Sequence, residues 1–166
     1  MGMSTASTPA IALLIEHGVD HLVHTYHHDP RSESFGTEAS DALTAHLGVV
    51  PQQIFKTLVV KRTDSSLAVA VVPVTSTLSL KSAAVALGTR KVVMATKAEA
   101  ERSTGYVFGG ISPLGQKRPL TTVVDESALQ WDRILCSGGR RGLEIELDPR
   151  DLVRLASAAT APVATG

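Results

Sequence analysis

Residues 102–115, with the sequence R-S-T-G-Y-V-F-G-G-I-S-P-L-G, constrain the fold of this chain more than any other stretch. Four glycines and one proline among these fourteen residues exclude a helix interior and most of a strand. A loop whose amide N–H groups are not covered by Cβ atoms can receive an oxyanion or a carboxyl oxygen. The same composition is also typical of an ordinary connection, so the loop alone leaves both interpretations open.

The composition limits the class of protein. A chain of 166 residues with 43% hydrophobic and 19% charged residues is typical of one soluble globular domain. Sixteen basic and sixteen acidic side chains give zero net charge, which argues against strong autonomous binding of nucleic acid, DNA included. A local basic patch, or RNA delivered by a partner, remains compatible with this balance. Aromatic residues, at 4%, are too few for a surface that stacks many bases.

The single cysteine, Cys136, excludes an internal disulfide and fits a reducing compartment. Its neighbours Ile134 and Leu135 are typical of an apolar strand, so we expect a core residue rather than a nucleophile. The chain does not open on a charged and then apolar leader, and no apolar run approaches membrane-spanning length. These features predict a cytoplasmic protein without a membrane partner.

Hydrophobic periodicity and capping residues predict an α/β fold. Helix starts are indicated at Thr8-Pro9, Thr37, Ser79, Thr96 and Asp148-Pro149. Strand patterns occupy residues 21–26, 55–62, 67–74, 91–95, 120–124, 133–137 and 142–147, and the turn 63–66 should join the second and third as an antiparallel hairpin.

The resulting fold is a mixed, strongly curved sheet or barrel of about seven short strands, with helices packed outside. We expect one domain over residues 8–158 and flexible tails at 1–7 and 159–166.

Lys56 is unusual for its position in a predicted strand. Alternation places it on the same face as Leu58 and Val60, where an ammonium group loses hydration. The side chain either extends to solvent at the strand end or directs a cation into the mouth of a pocket. In a pocket it could bind a carboxylate, a phosphate or developing negative charge.

Hydroxyl groups of Tyr26, Thr57 and Ser112 are further candidates, but the sequence lacks Gly-x-Ser-x-Gly and a Walker motif. A Ser-His-Asp hydrolase is therefore unsupported. All six histidines lie within the first 46 residues, yet neither HExxH nor a cysteine pair completes a metal site, and His21, His24 and His27 alternate between the two faces of a strand. We therefore expect solvent-facing or turn histidines and no metal.

A second glycine pair lies in residues 137–142, S-G-G-R-R-G, between two predicted strands. It is typical of a hairpin turn, although Arg140 or Arg141 could contact phosphate or RNA. In the following strand Glu144 shares a face with Glu146. Alternation leaves two outcomes open: both carboxylates face solvent, or Glu144 is directed at the amino group of a ligand.

Five motifs together resemble the YbaK-type Cys-tRNA(Pro)/Cys-tRNA(Cys) deacylases, which belong to the family of the prolyl-tRNA synthetase editing domain. They are H-T-Y-H-H-D-P at 24–30, F-K-T-L at 55–58, R-S-T-G-Y at 102–106, G-G-I-S-P-L-G-Q-K at 109–117 and S-G-G-R-R-G-L at 137–143. The resemblance runs in the same order from about residue 8 to about residue 157. The glycine-rich motif is the most specific of the five.

The resemblance implies an enzyme that hydrolyses the ester of mischarged Cys-tRNA(Pro) in trans, without cofactor or metal, in a complex with prolyl-tRNA synthetase and tRNA. Lys56 would contact the terminal adenosine's phosphate or the ester. The backbone of Gly109 and Gly110 would stabilise the oxyanion. The remaining implied substrate contacts are Tyr26, Phe35, Thr57, Ile111, Ser112 and Glu144, the last being aspartate in many relatives.

The resemblance also implies substrate-assisted catalysis, in which the thiol of the substrate cysteine attacks its own ester carbonyl and leaves as a cyclic thiolactone. The protein would then need to orient the ester and stabilise the oxyanion. Two alternatives remain open. One is a deacylase for another small residue, such as alanine on tRNA(Pro), with water as the attacker. The other is a module that binds tRNA or the synthetase without catalysis.

Overall fold

Short strands and helices alternate along residues 8–166, the part of the chain that the computed structural model describes. The helices are α1 (Pro9–Glu16), α2 (Phe35–Leu47), α3 (Leu80–Ala86), α4 (Lys97–Thr104) and α5 (Pro149–Leu155). The strands are β1 (His21–Thr25), β2 (Phe55–Arg62), β3 (Leu67–Pro73), β4 (Thr77–Leu78), β5 (Val92–Met94), β6 (Thr121–Asp125), β7 (Ile134–Arg140), β8 (Leu143–Leu147), β9 (Ala159–Ala161) and β10 (Ala164–Thr165). Two 3-10 helices lie at Pro51–Gln53 and Glu126–Gln130.

The largest sheet has the strand order β5-β2-β3-β6-β9 and is mixed. β2 and β3 form the predicted antiparallel hairpin, while β3 pairs with β6 and β6 with β9 in parallel. The central strand β3 is fully buried from Ala68 to Val72, as expected for a strand covered on both faces. This apolar run therefore lies at the centre of the molecule.

A second, antiparallel sheet has the order β1-β8-β7, and β4 pairs with β10 in a third. An isolated parallel bridge between Ile54 and Leu135 joins the start of β2 to β7. The mixed, curved α/β arrangement is confirmed, but its strands form separate sheets rather than a closed barrel. The strands that the sequence did not predict, β4, β9 and β10, are only two or three residues long, too short for an alternation pattern.

Local capping chemistry determines most of the helix starts. The side chains of Thr8, Ser79, Thr96 and Asp148 each accept a hydrogen bond from a backbone N–H of the first helical turn, as predicted. Helix α2 differs, because it begins at Phe35 rather than after Thr37, and its N-cap Ser34 makes no side-chain cap hydrogen bond. The first turn of α2 is thus left uncapped by side chains.

The segment after α5 is ordered into two strands, so the expectation of a flexible tail at residues 159–166 is wrong. Val163 is fully buried. One carboxylate oxygen of Asp125 accepts hydrogen bonds from the amides of Val163 and Ala164, each at 2.9 Å. The other tail that the sequence predicts, residues 1–7, lies outside the described residues. None of the helices over residues 8–166 is long and apolar enough to span a membrane.

Replacing Asp125 by alanine should destabilise the fold, because it leaves the buried amides of Val163 and Ala164 without an acceptor. Burial alone would raise the pKa of Asp125, but its hydrogen bonds from Ser127, Val163 and Ala164 outweigh burial and lower it. We expect Asp125→Ala to lose about 1.5–3 kcal/mol of unfolding free energy in urea titrations at pH 7. The exposed Asp132 provides the control, and equal losses for Asp125→Ala and Asp132→Ala would contradict the anchoring role.

Candidate active site

A cavity of about 500 Å³ opens between the start of β2, the first turn of α2 and the glycine loop. Its wall contains most of the residues that the sequence and the resemblance predict for the site: Tyr26, Phe35, Lys56, Thr57, Gly109, Ile111 and Glu144. Two predicted residues, Gly110 and Ser112, do not line it. The fold therefore brings together segments that are more than one hundred residues apart in the chain.

Lys56 lies half-buried in the cavity wall, near the start of β2 and opposite Val72 of β3. Among residues 8–166 no carboxylate lies within salt-bridge distance of its ammonium group. Burial lowers the pKa of Lys56 from its ordinary value. A desolvated cation without an acidic partner is suited to receive an anionic group from a ligand.

Thr57 places a second polar group against the same cavity. Its hydroxyl oxygen is buried and has no hydrogen-bond partner within residues 8–166. Buried hydroxyls are normally hydrogen-bonded, and an exception indicates a site that something else completes. The cavity borders the continuous run 55–59 of β2, so both Lys56 and Thr57 line it although their side chains alternate along the strand.

Glu144 is the buried acid of the site, with 5% of its surface exposed. It lies on β8 opposite His24 of β1 and Ser137 of β7. Burial raises the pKa of Glu144 to about 8. Glu146 instead accepts a 2.8 Å hydrogen bond from the imidazole Nε2 of His24 at the partly exposed edge. Strand alternation left open whether Glu144 faces solvent or a ligand, and in the structure it lies in the cavity wall.

Tyr26 borders the cavity next to Glu144. Burial, followed by the negative charge of Glu144, raises the pKa of Tyr26 to about 12. The phenol therefore stays protonated at neutral pH and can donate a hydrogen bond into the cavity.

Gly109 allows the loop to approach helix α2. Its φ is +88°, and a Cβ atom there would lie 2.7 Å from the ring of Phe35. An L-residue would be strained by the dihedral angle and would collide with the ring. Among the described residues the amide N–H groups of Gly109 and Ile111 have no acceptor, whereas that of Gly110 donates to the carbonyl of Val107 at 2.9 Å.

Two predicted loop residues have structural rather than cavity positions. A Cβ atom on Gly110 would lie 2.7 Å from the backbone of Arg140, so this glycine packs the loop against the β7–β8 turn, and its N–H is not free for an oxyanion. Ser112 is fully buried, and its hydroxyl accepts a 3.2 Å hydrogen bond from the amide of Leu114. The predicted substrate contact by Ser112 is therefore corrected to a turn-forming role.

Sequence reasoning missed several cavity residues: Ser34, Gly36, Thr37, Met94, Phe108 and Ser137. Ser137 lies inside the motif at 137–143, and Phe108 lies in the glycine-rich stretch 102–115, so these positions were the available signal. The others join the cavity through tertiary packing of α2 and β5, which no local pattern records.

Two of the histidines, His24 and His28, each contact a glutamate. His28 Nδ1 lies 2.6 Å from an oxygen of Glu38, whose second oxygen accepts the amide of Asp29 at 2.8 Å. These contacts tie the segment before α2 to the helix. Over residues 8–166 no group of three or more His, Cys, Asp or Glu side chains is placed to hold a metal ion.

The family model of the aminoacyl-tRNA editing domain matches residues 36–155. The chain belongs to this family. The matched range includes the lysine, the glycine loop and the buried acid of the cavity, and it confirms the resemblance drawn from the motifs.

Known relatives agree with this membership. A protein of Enterococcus faecalis named as a candidate Cys-tRNA(Pro)/Cys-tRNA(Cys) deacylase, EbsC, is 37% identical over 127 residues, 76% of this chain and 77% of the relative. Among solved structures, the hypothetical protein APE2540 is 26% identical with a TM-score of 0.81, covering 95% of this chain and 99% of its own. A candidate trans-editing enzyme for prolyl-tRNA synthetase has the same fold, with 24% identity, a TM-score of 0.79, and coverage of 100% and 99%.

The raised pKa of Glu144 predicts a specific pH dependence of stability. A glutamate in the unfolded chain releases its proton at about pH 4.3. Glu144 in the folded protein keeps its proton up to about pH 8. Between these values the folded state binds more protons, so raising the pH lowers the unfolding free energy.

Glu144→Gln should remove this decline. We expect its unfolding free energy relative to wild type to increase between pH 5 and pH 9, by up to a few kcal/mol. Urea titrations at several pH values measure the difference, with Glu126→Gln as an exposed control. Parallel pH curves for Glu144→Gln and wild type would show that Glu144 titrates normally.

Proposed function

We propose that this protein is an aminoacyl-tRNA deacylase that acts in trans and hydrolyses mischarged Cys-tRNA(Pro). The proposal rests above all on one observation: a half-buried Lys56, with no carboxylate among residues 8–166 within salt-bridge distance, shares a cavity of about 500 Å³ with the buried Glu144. A site with one desolvated cation and one desolvated acid suits a ligand that carries both an anionic and a cationic group. The 3′ end of an aminoacyl-tRNA has these groups, a phosphate and an α-ammonium.

The groups that line the cavity then contact different parts of the substrate. Lys56 binds the phosphate of the terminal adenosine or the ester. The amides of Gly109 and Ile111, which have no acceptor within the described residues, receive the oxyanion that develops on the ester carbonyl. Glu144 is protonated in the free protein below about pH 8. It gives up this proton and pairs with the α-ammonium group when the substrate binds, because a neighbouring cation favours the charged carboxylate. Tyr26 donates a hydrogen bond from its phenolic hydroxyl to the substrate, because this hydroxyl remains protonated.

The attacking group comes from the substrate. The cavity wall contains neither cysteine nor histidine over the described part of the chain, and Cys136 is fully buried with a pKa that burial raises well above its ordinary value. In Cys-tRNA(Pro) the substrate sulfur attacks its own ester carbonyl and the bond to the ribose oxygen breaks. The thiol proton ends on that oxygen, which gives free tRNA and a cyclic thiolactone that water opens to cysteine. The protein supplies orientation and oxyanion stabilisation.

Delivery of the tRNA to this site requires a second protein. Zero net charge supports a protein that does not hold tRNA strongly by itself. We propose that it acts in the cytoplasm with prolyl-tRNA synthetase, the enzyme named for the solved trans-editing relative.

Parallel deacylation assays with Cys-, Ala- and Ser-tRNA(Pro) test this function. The purified protein should release cysteine fastest, and serine, which has a hydroxyl in place of the thiol, should be retained on tRNA. Fast release of alanine would show that water attacks the ester, since the alanine side chain carries no nucleophile that could do so. Binding to prolyl-tRNA synthetase without release of any amino acid would instead identify a non-catalytic module.

Lys56→Ala should reduce kcat/KM for Cys-tRNA(Pro) by about 10²-fold or more, because the cation that binds the substrate's negative charge is lost. Lys61→Ala is a matched control from the same strand, since Lys61 pairs with Glu99 outside the cavity. Single-turnover release of labelled cysteine measures both variants, and thermal melting checks their folding. Full activity in a folded Lys56→Ala protein would remove the lysine from the mechanism.

A further inference from the structure

Aromatic residues are few in this chain, yet two of its three phenylalanines meet at the mouth of the cavity. Phe55 is a core residue with 2% of its surface exposed. Phe35 and Phe108 both line the cavity, and their rings are edge-to-face with centroids 6.2 Å apart. Phe108 is 39% exposed, so it borders cavity and solvent at once. An exposed ring at this place is not explained by core packing.

Arg141 completes the arrangement from the β7–β8 turn. Its guanidinium carbon lies 4.7 Å from the centre of the Phe35 ring, and its Nε donates a 2.8 Å hydrogen bond to the carbonyl of Phe108. No carboxylate within residues 8–166 forms a salt bridge with Arg141. The guanidinium thus keeps donors for a ligand beside an exposed aromatic ring.

The backbone around Phe108 is held from both sides. Its amide donates a 2.7 Å hydrogen bond to a carboxylate oxygen of Glu101, while its carbonyl accepts from Arg141. The next residue, Gly109, is pressed against the Phe35 ring. The exposed ring is therefore positioned before any ligand arrives, which reduces the entropy lost on binding.

We propose that Phe108 and Arg141 form a binding platform, the Phe108–Arg141 platform, for the nucleotide that precedes the terminal adenosine of the substrate tRNA. The inference rests on the proposed function: with the ester inside the cavity, the single-stranded 3′ end must leave through the mouth. There its base stacks on the exposed face of Phe108, and its phosphate pairs with Arg141. Aromatic rings and guanidinium groups are the usual contacts of unpaired nucleotides in proteins.

A protein partner is the competing occupant, because an exposed aromatic residue is also typical of a protein interface. The nucleotide is favoured by charge complementarity, since Arg141 binds the Phe108 carbonyl and forms no salt bridge within the described part of the chain. Continuity with the cavity also favours it, because Phe108 forms part of the wall that would enclose the ester.

The test compares substrates that differ in the nucleotides they carry: cysteinyl-tRNA(Pro), a cysteinylated C-C-A trinucleotide and 3′-cysteinyl-adenosine. Phe108→Leu keeps apolar bulk without a stacking ring, Phe108→Tyr keeps the ring, and Arg141→Ala removes the cation. The chain offers a matched control at Leu129 and Arg150. Leu129 is also 39% exposed, its carbonyl accepts from an Arg150 nitrogen at 3.5 Å, and it lies outside the cavity wall.

We expect Phe108→Leu and Arg141→Ala each to lower kcat/KM about tenfold for the tRNA and the trinucleotide, chiefly through KM. Cysteinyl-adenosine lacks the preceding nucleotide, so both variants should lose much less on it, and the ratio of kcat/KM for the tRNA to that for cysteinyl-adenosine should fall about tenfold. Leu129→Ala and Arg150→Ala should match wild type on all three substrates. Phe108→Tyr, which keeps a stacking ring, should keep the wild-type ratio of kcat/KM between the tRNA and cysteinyl-adenosine.

Three results would overturn the platform. Equal losses on cysteinyl-adenosine would assign Phe108 and Arg141 to the shape of the cavity. A loss that occurs only when prolyl-tRNA synthetase is present would assign the surface to that protein. Wild-type protein that cleaves none of the three substrates would overturn the proposed function itself, and the platform with it.

Discussion

The close approach of the glycine loop to its neighbours is the constraint on which the site depends. A Cβ atom at Gly109 would lie 2.7 Å from the Phe35 ring, one at Gly110 would lie 2.7 Å from the backbone of Arg140, and one at Gly115 would lie 2.6 Å from the backbone of Pro9. Three elements, α2, the β7–β8 turn and α1, therefore pack directly on the loop backbone. Because side chains would separate these elements, the three glycines fix the position of the loop, and Gly109 is the one that lines the cavity.

This packing removes ionisable groups from the water that would otherwise stabilise their charges. Glu144 is nearly fully buried, and Lys56 is half-buried without an acidic partner in the described part of the chain. Such groups lower the stability of a fold unless a ligand or partner compensates them. The large core around β3, β7 and β8 offsets this cost. A fold that maintains such groups at one cavity is typical of a binding or catalytic site.

The same packing makes a protein nucleophile unnecessary in the proposed reaction. Backbone amides, one cation, one acid and a protonated phenol can orient an ester and stabilise its oxyanion. The single cysteine is free to serve the core, where it is fully buried.

Local chemistry in the sequence determined the helix caps at Thr8, Ser79 and Thr96, the β2–β3 hairpin, and the motifs that identify the family, because each depends on residues close together in the chain. Tertiary structure alone decided the rest. Alternation could not direct Glu144, since Glu144 and Glu146 share a strand face, and only the packing of β8 between β1 and β7 buries the first. The strands β9 and β10 likewise form through distant contacts, since β9 pairs with β6 and β10 with β4. Asp125 holds the residues between them by accepting the amides of Val163 and Ala164. Most of the predicted site residues thus line the cavity, but the sequence alone did not predict the contributions of α2 and β5, such as Thr37 and Met94. The burial of the site residues and their free hydrogen-bonding groups arise from contacts between distant segments.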